Sequence, residues 1–159
     1  MIIQDGGAVS VRPVRPEELA AVAVLAAEHA AYERAGAPAA DLAERLHGLL
    51  FGPGPARLRV LVAELDGGLV GYASCAPELS TWEGREYLHL DCLYVRAGVR
   101  GGGVGARLVE AVVAEARALG FGEVQWQTPE WNEGAVRFYE RLGAVAKPKL
   151  RFSLGVTGD

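Results

Sequence analysis

The stretch from Leu88 to Gly105, LHLDCLYVRAGVRGGGVG, constrains this chain more than any other. Leu88 to Val95 is apolar and β-prone, and it carries His89 and Asp91 two positions apart. Arg100 to Gly105 is a glycine-rich loop headed by an arginine, and Val104 to Leu119 then keeps the spacing of an amphipathic helix. Strand, glycine loop and helix start together make a seat for phosphate. The first backbone N–H groups of a helix have no intrahelical acceptor, and the helix dipole adds positive potential at that end. Glycine lets the backbone approach a ligand with no Cβ in the way. The stretch predicts a pyrophosphate cradle fed by an acid-bearing strand.

Two common phosphate motifs do not fit. A dinucleotide site needs Gly-x-Gly-x-x-Gly in its proper setting and a later acid for the ribose, and neither is present. A nucleoside-triphosphate loop closes on Lys-Ser or Lys-Thr, whereas Val104-Gly105-Ala106-Arg107 supplies neither. Without a ligand, four glycines within residues 101–105 would only weaken the start of the helix.

The rest of the chain reads as an α/β domain. Ala8 to Val14 is a short first strand. Pro16-Glu17-Glu18 opens a helix that keeps apolar spacing to about Arg34, with Gly36 and Pro38 ending it. The polar residues late in this helix, Glu28, His29, Tyr32 and Glu33, read first as a solvated face. Asp41 to Leu50 is a second helix. Arg57 to Leu65 and Leu69 to Ala76 form a hairpin about Asp66-Gly67-Gly68. Pro77 to Arg85 is a loop, and Leu88 to Val95 is the central strand. Glu123 to Thr128 is a strand, followed by a helix from Trp131–Glu133 to Leu142 with Asn132 as N-cap. Val145 to Leu154 is a final strand, bent or at an edge because of Pro148. The order β-α-α-β-β-β-α-β-α-β implies a mixed sheet with helices on both faces in a single domain over residues 1–159.

Composition narrows the function classes. Half of the 159 residues are apolar and the net charge is −4, with no basic cluster suited to nucleic acid. No apolar run is long enough to span a membrane. MIIQDGGAVS lacks the basic and apolar regions of a secretory leader, so a cytoplasmic location is expected. Cys75 and Cys92 sit in strand-like runs and read as buried thiols, with no spacing for a metal site.

Two motifs carry a family resemblance. Arg100-Gly101-Gly102-Gly103-Val104-Gly105 resembles the Gln/Arg-x-x-Gly-x-Gly/Ala signature of the GCN5-related N-acetyltransferase (GNAT) superfamily. Asn132 to Ala144, NEGAVRFYERLGA, resembles its asparagine, Phe-Tyr-Glu and Leu-Gly pattern. The similarity extends toward the spermidine/spermine (diamine) and thialysine acetyltransferases. It runs through Glu28 to Glu33, Ser80 to Arg85, Leu90 to Val95 and Glu130-Trp131-Asn132-Glu133.

The resemblance implies a GNAT fold: a mostly antiparallel mixed sheet, splayed into a V at the central strand. It implies transfer of an acetyl group from acetyl-CoA to a primary amine by direct attack, with no metal. Arg100, Gly101, Gly102, Gly103, Val104, Gly105 and Ala106 would hold the pyrophosphate. Leu93, Tyr94 and Val95 would pair with the pantetheine arm through their backbone. Asn132 would touch the arm or the acetyl end. Tyr139 aligns with the family's general acid, and it also borders the cofactor. Asp91 aligns with the base, one methylene shorter than the usual glutamate, which favours a water relay. His89, on the same strand face, is the alternative base. Glu28, Tyr32, Glu33, Trp82 and Asp91 would contact the amine.

The implied acceptor is a diamine, a polyamine or a lysine-like amino acid. Lys147, Lys149 and Arg151 would repel a long polyamine tail, which favours a shorter amine. A peptide or protein N-terminal acetyltransferase and a non-catalytic acyl-CoA-binding sensor are the competing readings. A homodimer is also implied.

Overall fold

A computed structural model describes residues 7–158. The leader reading above rests partly on residues 1–6, which lie outside the described residues. The elements are β1 (Ser10–Pro13), α1 (Leu19–Tyr32), α2 (Leu42–Phe51), β2 (Arg59–Leu65), β3 (Gly68–Ser80), β4 (Arg85–Val95), α3 (Val104–Ala118), β5 (Val124–Gln125) and α4 (Glu133–Arg141). The sheet order is β1-β2-β3-β4-β5. Every pairing is antiparallel except β4 with β5, which is parallel. The chain divides between Gln127 and Thr128 into two compact units.

In the first unit the sheet carries helices on both faces. One face packs Leu61, Ala63, Ala73, Cys75, Leu88 and Leu90 against Val104, Leu108, Val112 and Ala116 of α3. The α3 residues fall at helical spacing on one side, which is why this sequence buries them together. The opposite face packs Val60, Val62, Tyr72 and Tyr94 against Val22 and Leu25 of α1, with Ala43, Leu46 and Leu50 of α2 at the margin. Leu25, Leu88 and Leu108 are completely enclosed. Enclosing each contributes roughly 1.5–3 kcal/mol.

The β2–β3 turn forms as its residues dictate. Asp66 and Gly67 both take positive φ, at 51° and 79°, the pair of values a type I′ hairpin turn requires. A second hairpin departs from the sequence expectation. The segment 77–85 is not a loop, because β3 runs on to Ser80 and β4 begins at Arg85. Pro77 is tolerated for a specific reason. It pairs with Leu88, whose N–H points away from β3 and donates to the Glu123 carbonyl at 3.0 Å. No cross-strand bond is therefore missed by a residue lacking N–H.

The second unit contains α4, capped by Asn132, whose side chain accepts from the Ala135 N–H at 3.3 Å. The helix ends at Gly143, with φ of 92°. The expected final strand over Val145 to Leu154 does not form, since residues 144–158 contain no helix or strand. Leu150, Phe152 and Leu154 there are 83–89% exposed. A strand exists only where a neighbour completes its ladder, and Pro148 removes one donor from this segment.

Candidate active site

Two features of β4 build the site. The first is a bulge. Ser74 pairs with Cys92 while Cys75 pairs with Leu90, so Asp91 is the extra residue with no cross-strand partner. The bulge changes the phase of the strand. Leu88 and Leu90 point into the α3 core, then Leu93 and Val95 do, while Cys92 and Tyr94 face α1. The Cys92 thiol donates to Asp91 Oδ2 at 3.7 Å, which keeps Asp91 on the α1 side with Cys92. His89, between two α3-facing leucines, shares that side. Asp91 is exposed.

The second feature is an early parting of strands. β4 pairs with β5 only at Leu88–Val124 and His89–Gln125. Among the described residues, β4 continues to Val95 with no strand on that side. The sheet thus opens just past His89, and the backbone of Leu93, Tyr94 and Val95 lies beyond the opening.

The glycine loop follows a short 3-10 turn at Ala97–Val99. Gly101 and Gly103 take φ of 87° and 82°, a conformation that strains any side chain, and a Cβ at either would meet only open space. Gly103 is the N-cap of α3, and the first turn of the helix bonds from the Arg107 N–H to the Gly103 carbonyl at 3.1 Å. The N–H groups of Val104, Gly105 and Ala106 precede any intrahelical acceptor. They are the groups at the helix start that the sequence reading assigns to a pyrophosphate.

Arg100 is held elsewhere. Its Nε donates to the Val95 carbonyl at 2.8 Å, and its guanidinium lies 4.5 Å from the Tyr32 ring centre and 5.5 Å from that of Tyr94. The Arg100 side chain is thus engaged with Val95 and the two tyrosine rings. The Tyr32 ring is already a face that accepts a cation.

The polar groups of α1 are less solvated than their spacing suggests. The His29 side chain is 12% exposed. Its Nδ1 lies 3.1 Å from the Tyr72 hydroxyl, its Nε2 lies 3.4 Å from Glu33, and its ring stacks on Tyr94 at 5.3 Å. His29 is therefore an inward-facing residue that sequence spacing assigned to the surface. Burial, with the Cys92 thiol and Asp91 nearby, pushes the Tyr72 phenol well above its ordinary value. Burial likewise raises the Cys92 thiol. Glu28 is engaged by Arg96 at 3.0 Å, so its charge is balanced in place. Trp82 is fully exposed at the tip of the β3–β4 hairpin and touches no site group.

Glu78 was not visible in the sequence as a site residue because it fell in the expected loop. It sits on β3 opposite Tyr87, accepts the Tyr87 hydroxyl at 2.7 Å and lies 3.2 Å from His89 Nδ1.

In the second unit, Asn132 is buried and Tyr139 is half-buried on α4, next to Phe138 with ring centres 5.3 Å apart. Among the described residues, no group of three or more His, Cys, Asp or Glu is arranged around a common point as metal ligands are.

A sequence profile of the Acetyltransferase (GNAT) family matches residues 24–144. Blasticidin-S acetyltransferase of Streptomyces morookaense is 41% identical over 80 residues, covering 50% of this chain and 51% of that protein. Thialysine N-epsilon-acetyltransferase of Bos taurus is 33% identical over 76 residues, covering 48% and 44%. The chain spans about half the length of these relatives. A possible acetyltransferase from Clostridium difficile 630 matches in fold with a TM-score of 0.78 at 17% identity, over 94% of this chain and 99% of that one. Glycine cradle, opened β4 edge and α3 start thus occur within a matched span of most of the chain, and the protein belongs to the GNAT acetyltransferase family.

Proposed function

We propose that this protein is an acetyl-CoA-dependent N-acetyltransferase acting on a primary amine of a small molecule, a diamine or lysine-like amino acid before a long polyamine. The observation that carries the reading is the junction of β4 and α3: a strand edge with no strand paired to it past His89, its Val95 carbonyl capped by Arg100, leading into a glycine loop at the helix start. The residues present fit acetyl-CoA. The φ values of Gly101 and Gly103 and the open space around them suit close approach by a pyrophosphate. The β4 edge past His89 suits an extended amide-containing arm added as a strand.

Acetyl-CoA would supply an activated acetyl thioester. The backbone N–H groups of residues 101–106 would hold its phosphates, and the backbone of Leu93 to Val95 its arm. The N–H of Leu93 would stabilise negative charge on the carbonyl oxygen; the Tyr94 N–H, the other expected donor, is turned toward β3 by the register that pairs Tyr94 with Tyr72 and bonds the Arg96 N–H to the Val70 carbonyl. Asp91, exposed at the bulge, would draw the cationic amine, and Tyr32, whose ring also carries the Arg100 guanidinium, would border it. Asp91, directly or through water, or His89 would take the amine proton. Tyr139 is assigned as the acid for the departing thiolate, because a phenol keeps its proton at pH 7. Asn132 is assigned to the arm, alongside its role as helix cap.

We further infer that both units belong to one domain, since the family profile runs across the division. A homodimer and a cytoplasmic setting complete the reading. The alternating exposed residues Leu150, Phe152 and Leu154 have the pattern of a strand awaiting a partner, here a second copy.

Thiol release from acetyl-CoA against a panel of diamines, polyamines, amino acids and peptides tests the function. Release with small primary amines is expected, with Tyr139→Phe lowering kcat about 100-fold while acetyl-CoA affinity holds. Binding of acetyl-CoA with no acceptor-dependent release across the panel would instead identify a sensor.

A further inference from the structure

Glu78 has no role in the reading above, yet its carboxylate grips one of the two candidate bases. Oε2 accepts the Tyr87 hydroxyl at 2.7 Å, which orients the carboxylate. Oε1 lies 3.2 Å from His89 Nδ1. A carboxylate only accepts, so Nδ1 must be the nitrogen that donates, and a neutral imidazole then carries its lone pair on Nε2. The His89 side chain is 20% exposed and stands on the Asp91 side of β4, at the last residue paired with β5. A hydrogen bond from Nδ1 across this 3.2 Å contact would hold the imidazole at the mouth of the splay in one tautomer.

We propose that Glu78 is a positioning residue: it fixes His89 with Nδ1 protonated, so that Nε2 takes the proton from the acceptor's ammonium while Asp91 supplies the charge that draws the ammonium in. The inference rests on the acetyl-transfer reading above. One proton passes from the ammonium to Nε2, and the Glu78 carboxylate stabilises the resulting imidazolium. The freed lone pair forms the C–N bond at the thioester carbonyl carbon, and the C–S bond breaks. The second proton lost by the amine balances the one taken up by the leaving thiolate. His89 returns its proton to water.

The test has a structural and a kinetic arm. By nitrogen NMR of the ligand-free protein, His89 is expected in the Nδ1–H tautomer. Glu78→Gln retains that tautomer, because the amide oxygen still accepts, and Glu78→Ala loses it. In thiol-release assays, Glu78→Ala and His89→Gln each lower kcat about 10- to 100-fold with KM for acetyl-CoA unchanged. The double variant is no worse than His89→Gln alone, because Glu78 acts only through His89. Glu78 is half-exposed, so its substitutions leave the core untouched.

An Nε2–H tautomer in the unaltered protein, additive losses in the double variant, or kcat within about twofold in Glu78→Ala would each overturn the proposal. The unaltered protein's own turnover separates the two failures. If it turns over amines while the variants match it, this proposal alone falls. If it releases no thiol with any amine, the acetyl-transfer reading falls and this proposal with it.

Discussion

Glu18 accepts two hydrogen bonds from the Arg12 guanidinium, each at 2.7 Å, and a third from the Arg15 N–H at 2.8 Å. Arg12 also binds Glu64, so one guanidinium ties β1, β2 and the approach to α1. The Arg12 hydrogen bonds hold the Glu18 carboxyl far below the usual carboxylate range, at about 2. A depressed carboxyl stabilises the folded state fully above its unfolded pKa, and that stabilisation is lost as pH falls through the folded value. Glu18→Gln should therefore lower stability by about 1–3 kcal/mol at neutral pH. The gap to the unaltered protein should close between roughly pH 4.5 and pH 2. Thermal melts across that range check it, and a gap that persists at pH 2 would remove the carboxylate from this role. Single residues were unevenly legible. Asp91 and His89 could be picked out because they interrupt an apolar strand. Glu78 and His29 could not, because their meaning comes from partners on another element: His89 across the hairpin, and Tyr72 and Tyr94 beneath the helix.

Elements were readable where local chemistry decides them. The type I′ turn, the glycine loop and the cap of α4 each rest on residues adjacent in sequence. Strand extent was not, because ladders are settled by distant partners. Pro77 looked like a terminator and instead sits where no N–H is required. The close fit of β3, β4 and α3 was equally hidden. A Cβ at Gly71 would stand 2.7 Å from the Tyr94 carbonyl oxygen and 3.3 Å from Leu108 Cδ1. The first clash is with backbone, which cannot swing aside. Gly71→Ala should cost roughly 1–3 kcal/mol and loosen the junction on which the cradle depends. Chemical denaturation reads the loss, and a midpoint equal to that of the unaltered protein would show that β4 yields without strain.

At the scale of the whole molecule, the order of elements was legible as far as α4, since apolar periodicity and turn residues mark each one. The C-terminal segment was not, because alternation says only that a strand can form and not where its neighbour is. If that neighbour is a second copy, light scattering should give twice the chain mass, and Phe152→Asp with Leu154→Asp should halve it. A monomeric unaltered protein would discard the dimer. The bulge at Asp91 has a consequence on the scale of descent as well as of folding. Because Asp91 is one extra residue in β4, removing it would leave Leu88, Leu90, Leu93 and Val95 in plain alternation toward the α3 core, so the fold itself does not require the residue. Asp91 has no partner across the strand and no place in either core. On the proposed reading its identity can drift with the acceptor, and the fold need not be renegotiated each time.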